Sequence, residues 1–212
     1  MQPPKSDICV LCGIRPATTR DHVPPKCFFR GLQIALNTVP ACGQCNNGAS
    51  SDDEDMRFFI SMQVGKQAPG AASLWKDGAL KSVKRKTSLR QQVTSTARKI
   101  LVADCSGSVS PRIAVEVPAR LYDSVFGRST RGLYFLHTTR ILGPDVAIQV
   151  APLTSPPSDA LLAPFQYSEV GAGAFSYWFG IEAEDQSSSL WLYRFYGSHW
   201  VQTTTGNPYD AF

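Results

Sequence analysis

The sequence predicts an α+β protein in three stretches: a cysteine-bearing N-terminal module (1–65), a basic helical connecting segment (66–104) and a C-terminal, mainly antiparallel β region with some helix (105–212). Three observations carry this. Two Cys-x-x-Cys pairs lie within the first fifty residues, where few long apolar runs exist to build a core. Residues 61–104 hold nine basic groups against two acidic ones, net +7, around an apolar pattern of helical period. Eleven of the 22 aromatics fall within 165–200, several of them in alternation.

The bulk properties exclude several classes. At 212 residues the chain is one domain, or a small module joined to a larger one, given roughly 100–200 residues per domain. Apolar residues at 43% and charged residues at 18% supply a core and rule out a disordered chain. A net charge of +4 is too mild to imply a nucleic-acid partner by itself, but its distribution is uneven. Residues 1–60 are neutral and 105–212 carry net −3, so the middle third is the basic one. No stretch approaches the roughly 18 apolar residues of a membrane span. The opening Met1-Gln2-Pro3-Pro4-Lys5-Ser6-Asp7 has no apolar signal core, so a cytoplasmic protein is expected. In that reducing compartment cysteines serve as metal ligands or free thiols rather than disulfides.

Taken in order, Ser51-Asp52-Asp53-Glu54 has capping-box spacing, with acids at the positive end of a helix dipole. Met56, Phe59, Ile60 and Gln63 follow at helical spacing, predicting a helix that ends near Gly65. After a Gly/Ala/Pro connection, Leu89, Val93, Ala97, Ile100 and Leu101 predict a helix from about Lys86 to Leu101. A short helix is expected near 119–128 and strands at 132–138 and 145–151. Phe175, Tyr177, Phe179 and Ile181 alternate with Ser176, Trp178 and Gly180, and Trp191, Tyr193 and Phe195 alternate again. Both runs read as half-buried antiparallel strands.

The strongest motif is Cys9-Val10-Leu11-Cys12 with Cys42-Gly43-Gln44-Cys45. Each two-residue spacer forms a knuckle that presents both sulfurs to one ion, so the two pairs can hold a tetrahedral Zn²⁺. Four thiolates fill the coordination sphere, which makes this a structural zinc with no open position. The 29-residue gap between the knuckles is longer than a simple ribbon needs, so it holds something.

Inside the gap lies Thr18-Thr19-Arg20-Asp21-His22-Val23-Pro24-Pro25; Asn37 precedes the second knuckle and Asn46-Asn47 follows it. Over residues 7–60 the chain resembles the HNH endonuclease family, whose ββα-metal site is flanked by a four-cysteine zinc site. Asp21-His22 matches the Asp-His pair that ends the family's first strand, and Asn37 its central Asn. Asn46 matches the third signature position, where many members have His and a recognised subset has Asn. Asn47 is the alternative one residue on. The resemblance implies a ββα-metal fold, a catalytic Mg²⁺ or Mn²⁺ on Asp21 and Asn46, and an Asn37 that orients the imidazole of His22. It also implies 5′-phosphate and 3′-hydroxyl products. Ala49 stands where many relatives carry Lys or Arg, so one phosphate contact of the family is missing.

The chemistry of the residues runs the same way. Phosphodiester hydrolysis needs an activated water and charge against the developing anion. His22 is the only histidine of the first region, and an ordinary pKa near 6.5 suits a general base. Asp21, its neighbour on a strand, points to the opposite side, so carboxylate and imidazole can do different work. One carboxylate and one amide oxygen form a hard donor set, favouring Mg²⁺ or Mn²⁺.

Lys81, Lys84, Arg85, Lys86, Arg90, Arg98 and Lys99, with no acid between Asp77 and Asp104, are candidate contacts to a DNA backbone. A solvated helix face is the plain alternative. Arg128, Arg131, His137 and Arg140 are further phosphate candidates. Trp178, Trp191 and Trp200 suit base stacking or, more simply, a sheet core. Cys27 and Cys105 have no partner motif. The expected function is a metal-dependent DNA endonuclease, with a non-catalytic zinc-stabilised DNA-binding module as the alternative. A third class is a protein-interaction adaptor that works through 105–212.

Overall fold

In the computed structural model, residues 4–62, 69–76, 80–103 and 106–206 are described. Strands β1 (Thr19–Val23) and β2 (Asn37–Ala41) pair antiparallel, Asp21 opposite Val39 and Val23 opposite Asn37. Between them lies a 3-10 turn, Lys26–Phe29, and after β2 come helices α1 (Gly43–Gly48) and α2 (Ser50–Ser61). Helices α3 (Pro69–Leu74), α4 (Leu80–Arg85) and α5 (Thr87–Thr96) follow, then a separate two-stranded ribbon of β3 (Arg98–Ala103) and β4 (Val109–Ala114). The remainder is the long helix α6 (Ala119–Thr138), β5 (Ala147–Leu153), the short α7 (Asp159–Leu162), β6 (Gln166–Val170), β7 (Phe175–Ile181), β8 (Ser189–Phe195) and β9 (His199–Gly206). Strands β5 to β9 form one antiparallel sheet in the order β5-β9-β8-β7-β6.

The C-terminal strands form where alternation predicts them, because one face of β7 and β8 is apolar. Phe175, Tyr177, Phe179, Trp191, Tyr193 and Phe195 are all buried, several in stacked or tilted ring pairs. Helix α6 lies against the sheet and buries Leu121, Tyr122, Val125, Phe126 and Leu133 at helical spacing. The hydroxyls at the centre of this interface are satisfied: Thr130 bonds the Phe126 carbonyl and shares its hydroxyl with Tyr193 and Thr203, each at 2.8 Å. One apolar core runs from Cys9 to Val201 across all three predicted stretches. Phe28 and Phe29 enter it against Phe195 and Phe175, and the Tyr196 hydroxyl donates to the Phe28 carbonyl at 2.6 Å. No helix among the described residues is long and apolar enough to cross a membrane.

Three sequence expectations are corrected. Residues 132–138 belong to α6, not to a strand, because tertiary packing on the sheet overrides the β preference of Leu133, Tyr134 and Phe135. The helix expected over 86–101 stops at Thr96, where Thr94, Ser95 and Thr96 turn their hydroxyls back onto backbone carbonyls of the preceding turn. Ile100 and Leu101 therefore belong to β3. Helix α2 starts at Ser50 with Ala49 as a cap without side-chain bonds, so the capping box at Ser51 is not formed. Its last residue is Ser61; Gln63, Gly65 and Cys105 lie outside the described residues.

Gly132 is a working part of the α6–β1 contact. A Cβ there would stand 2.5 Å from Cγ2 and 3.1 Å from Cγ1 of Val23, a buried β-branched side chain that cannot swing aside. Gly132→Ala is expected to destabilise by about 1–3 kcal/mol from overpacking, less the roughly 1 kcal/mol that alanine adds to a helix. Urea denaturation checks this, and a more stable variant would refute the close approach.

Candidate functional site

The site begins at the cysteines. Cys9 opens a tight turn in which its carbonyl accepts from Gly13 N–H at 2.8 Å, with Gly13 in the left-handed region at φ 67°. Cys42 caps α1, its sulfur accepting from Cys45 N–H at 3.4 Å. The sulfurs of Cys9, Cys12, Cys42 and Cys45 all lie within 4.8 Å of one another, a spread compatible with one tetrahedral ion such as Zn²⁺ at about 2.3 Å per bond. Arg15 donates to two of them, Nε to Cys42 at 3.1 Å and Nη2 to Cys45 at 3.3 Å. A four-thiolate Zn²⁺ centre carries two net negative charges, and this guanidinium would offset part of them.

The knuckle also places Asn46. One residue beyond Cys45 in α1, Asn46 donates through Nδ2 to the Thr19 hydroxyl at 3.2 Å and the Arg20 carbonyl at 3.1 Å. Donation to a carbonyl fixes which end of the amide is nitrogen, leaving Oδ1 without a partner among the described residues.

On β1, Asp21 is buried and His22 half-buried. Asp21 accepts from the His22 backbone N–H at 2.8 Å through Oδ1 and from Arg128 Nη1 at 3.1 Å through Oδ2. Arg128, reaching over from α6, also pairs with Asp53 of α2. Burial raises the Asp21 carboxyl above its ordinary range, while Arg128 and the His22 N–H pull it back. Burial likewise pushes the Asp53 carboxyl up to about 6 against the pull of Arg128. His22 is lowered by burial and by nearby Lys26, so its ring is neutral at neutral pH. Asp21, His22, Lys26, Asn46, Asp53 and Glu54 share the wall of one cleft of about 300 Å³.

Other expected residues fall differently. Asn37 is exposed at the first position of β2, opposite Val23, and its side chain makes no hydrogen bond to His22. Asn47 lines the cleft beside Asn46. Arg128, Arg131 and His137 are corrected as phosphate candidates: all three are committed inside the fold. Arg128 holds two acids, and Arg131 donates to the carbonyls of Leu142, Gly143 and Val146. His137 packs on Phe179 and bonds the Tyr177 hydroxyl. Trp191 is fully buried, and Trp178 and Trp200 stack on each other under Arg194. Lys86 is spent on Asp55 at 2.6 Å. Lys81, Lys84, Arg85, Arg90, Arg98 and Lys99 are exposed with no acidic partner among the described residues, spread over α4, α5 and β3 rather than one helix.

Asp53 and Glu54 were legible only as helix-capping acids. Yet Asn46, Asn47, Ser50, Asp53 and Glu54 recur at the spacing of one helical face, and that polar stripe is the signal that marks the cleft wall. Compared with known proteins, the chain matches no family model, no curated protein and no solved structure.

Proposed function

We propose that the chain is a metal-dependent endonuclease that hydrolyses DNA phosphodiester bonds, with an N-terminal module of HNH type. The observation that carries this reading is the meeting of Asp21, His22 and Asn46 in one cleft, on strands and a helix set by the four-cysteine cluster. A neutral imidazole with no hydrogen-bond partner for its ring among the described residues is free to take a proton from water. Asp21 and Asn46 fit a hard divalent cation, since the amide oxygen is free and each carboxylate oxygen keeps a lone pair beyond its one hydrogen bond. When bound there, Mg²⁺ or Mn²⁺ supplies charge stabilisation to the departing oxygen. Lys26, on the same wall, offers a cation to a scissile phosphate.

The expected result is nicking or cleavage of supercoiled plasmid by the purified protein with Mg²⁺ or Mn²⁺. His22→Ala, at matched zinc content, should lose about 10²–10⁴-fold of that rate. Equal cleavage by both proteins would remove His22 from the mechanism. One observation favours the alternative of a non-catalytic zinc-stabilised DNA-binding module: the Arg128 guanidinium already gives Asp21 a cation. That alternative predicts plasmid binding without cleavage by either protein.

A further inference from the structure

We infer that the β3–β4 ribbon is an arm that lies in the major groove of duplex DNA. The inference rests on DNA as the partner in the reading above and not on the cleavage chemistry. The register places Lys99 opposite Ile113, Leu101 opposite Pro111 and Ala103 opposite Val109, so these six side chains share one face. Leu101, at 75% accessible, is the most exposed large apolar side chain among the described residues, and on the same face Ile113 and Val109 stand at 65% and 58%. An apolar face this exposed, on a ribbon whose two strands pair with no third among the described residues, invites a partner.

Charge decides which partner. Lys99 stands exposed on this face, Arg98 and Arg112 stand exposed on the reverse face of the same narrow ribbon, and no acid occurs among its described residues. Lys81, Lys84, Arg85 and Arg90 precede it on α4 and α5, also exposed and unpaired with acids among the described residues. A polyanion complements that surface, and a neutral protein face does not. The shape agrees: strands about 4.8 Å apart make a ribbon that enters a groove about 12 Å wide but not one of about 6 Å. Each strand turns one row of backbone N–H and C=O groups outward, where amides can donate to phosphates along the groove walls. Leu101, Val109 and Ile113 would then meet the groove floor, whose apolar feature is the thymine methyl group.

Fluorescence anisotropy of a short labelled T-rich duplex, read on the full-length protein without added divalent metal, tests this. Arg98→Ala/Lys99→Ala/Arg112→Ala should reduce the salt dependence, log K against log salt, by about 0.9 per cation removed. Leu101→Ser/Ile113→Ser should bind roughly tenfold more weakly with an unchanged slope. A duplex with deoxyuridine for thymidine lacks the methyl groups and should weaken the wild type but not the serine variant. Both variants alter exposed positions, and unchanged zinc content and melting temperature confirm that they fold. Wild-type affinity and slope in both variants would overturn the arm. So would loss of a dimer in light scattering with DNA binding intact, which would make the face a contact between two copies. A wild type that binds the duplex yet never cuts plasmid defeats the nuclease reading and leaves the arm standing.

Discussion

Cys42→Ser, or removal of zinc by a chelator, is expected to cost the chain its cooperative thermal transition. The size of the effect follows from what the cluster joins. Cys9, Val10, Leu11, Val39 and Ala41 are buried, yet the described segment before β1 forms no helix or strand. It is held by an isolated bridge, Ile8 to Pro16, short turns and two backbone bonds to β2, from Val10 N–H to the Pro40 carbonyl and from Thr18 N–H to that of Ala41, each at 3.0 Å. Structural zinc in small modules contributes an apparent 10–16 kcal/mol or so, as large as the whole stability of a typical domain at about 5–15 kcal/mol. Losing the knuckles also frees α1, and with it Asn46, from β1. Metal analysis should find about one zinc per wild-type chain and none in the variant, and circular dichroism should follow the melt. An identical melting temperature with and without zinc would show the cysteines to be ordinary buried thiols.

Arg128→Ala should be the most damaging substitution outside the cysteines, at about 3–5 kcal/mol, because it strands two buried carboxylates at once. Asp53→Asn added to that variant should recover part of the loss, which a urea-unfolding double-mutant cycle would read. The pH dependence has a defined sign. Asp53 holds its proton more tightly folded, near 6, than at its ordinary 3.8, so its contribution to stability falls as pH rises through that window. Without Arg128 the window extends to higher pH. A loss below about 1 kcal/mol would mean that water, not the guanidinium, solvates Asp21 and Asp53.

Local features were readable in the sequence and long-range ones were not. The cysteine pairs announce themselves because the knuckle is a four-residue object, and their four sulfurs do gather. β7 and β8 are legible from period-two alternation because one face of the sheet is buried. Helix α6 misleads, since Gly132 and the aromatic run after it weaken the helical signal at the point where β1 needs room. The basic stretch misleads differently: a 3.6-residue pattern over Leu89 to Leu101 continues by chance into a strand. Nothing local joins Asp21 to Arg128, 107 positions away, and an ion pair at that separation leaves no periodicity to read.

The grip of the C-terminal sheet on the turn after β1 bears on how the protein could have been assembled in evolution. Phe28 and Phe29 sit against β7 and β8, and the Tyr196 hydroxyl, just beyond β8, closes on the Phe28 carbonyl. A segment ending at the first linker would carry those two phenylalanines as naked surface. The short N-terminal unit is therefore not a transplantable cassette in this chain. Its boundary in the gene would have to move together with the sheet, so shuffling would exchange the two as one inherited piece.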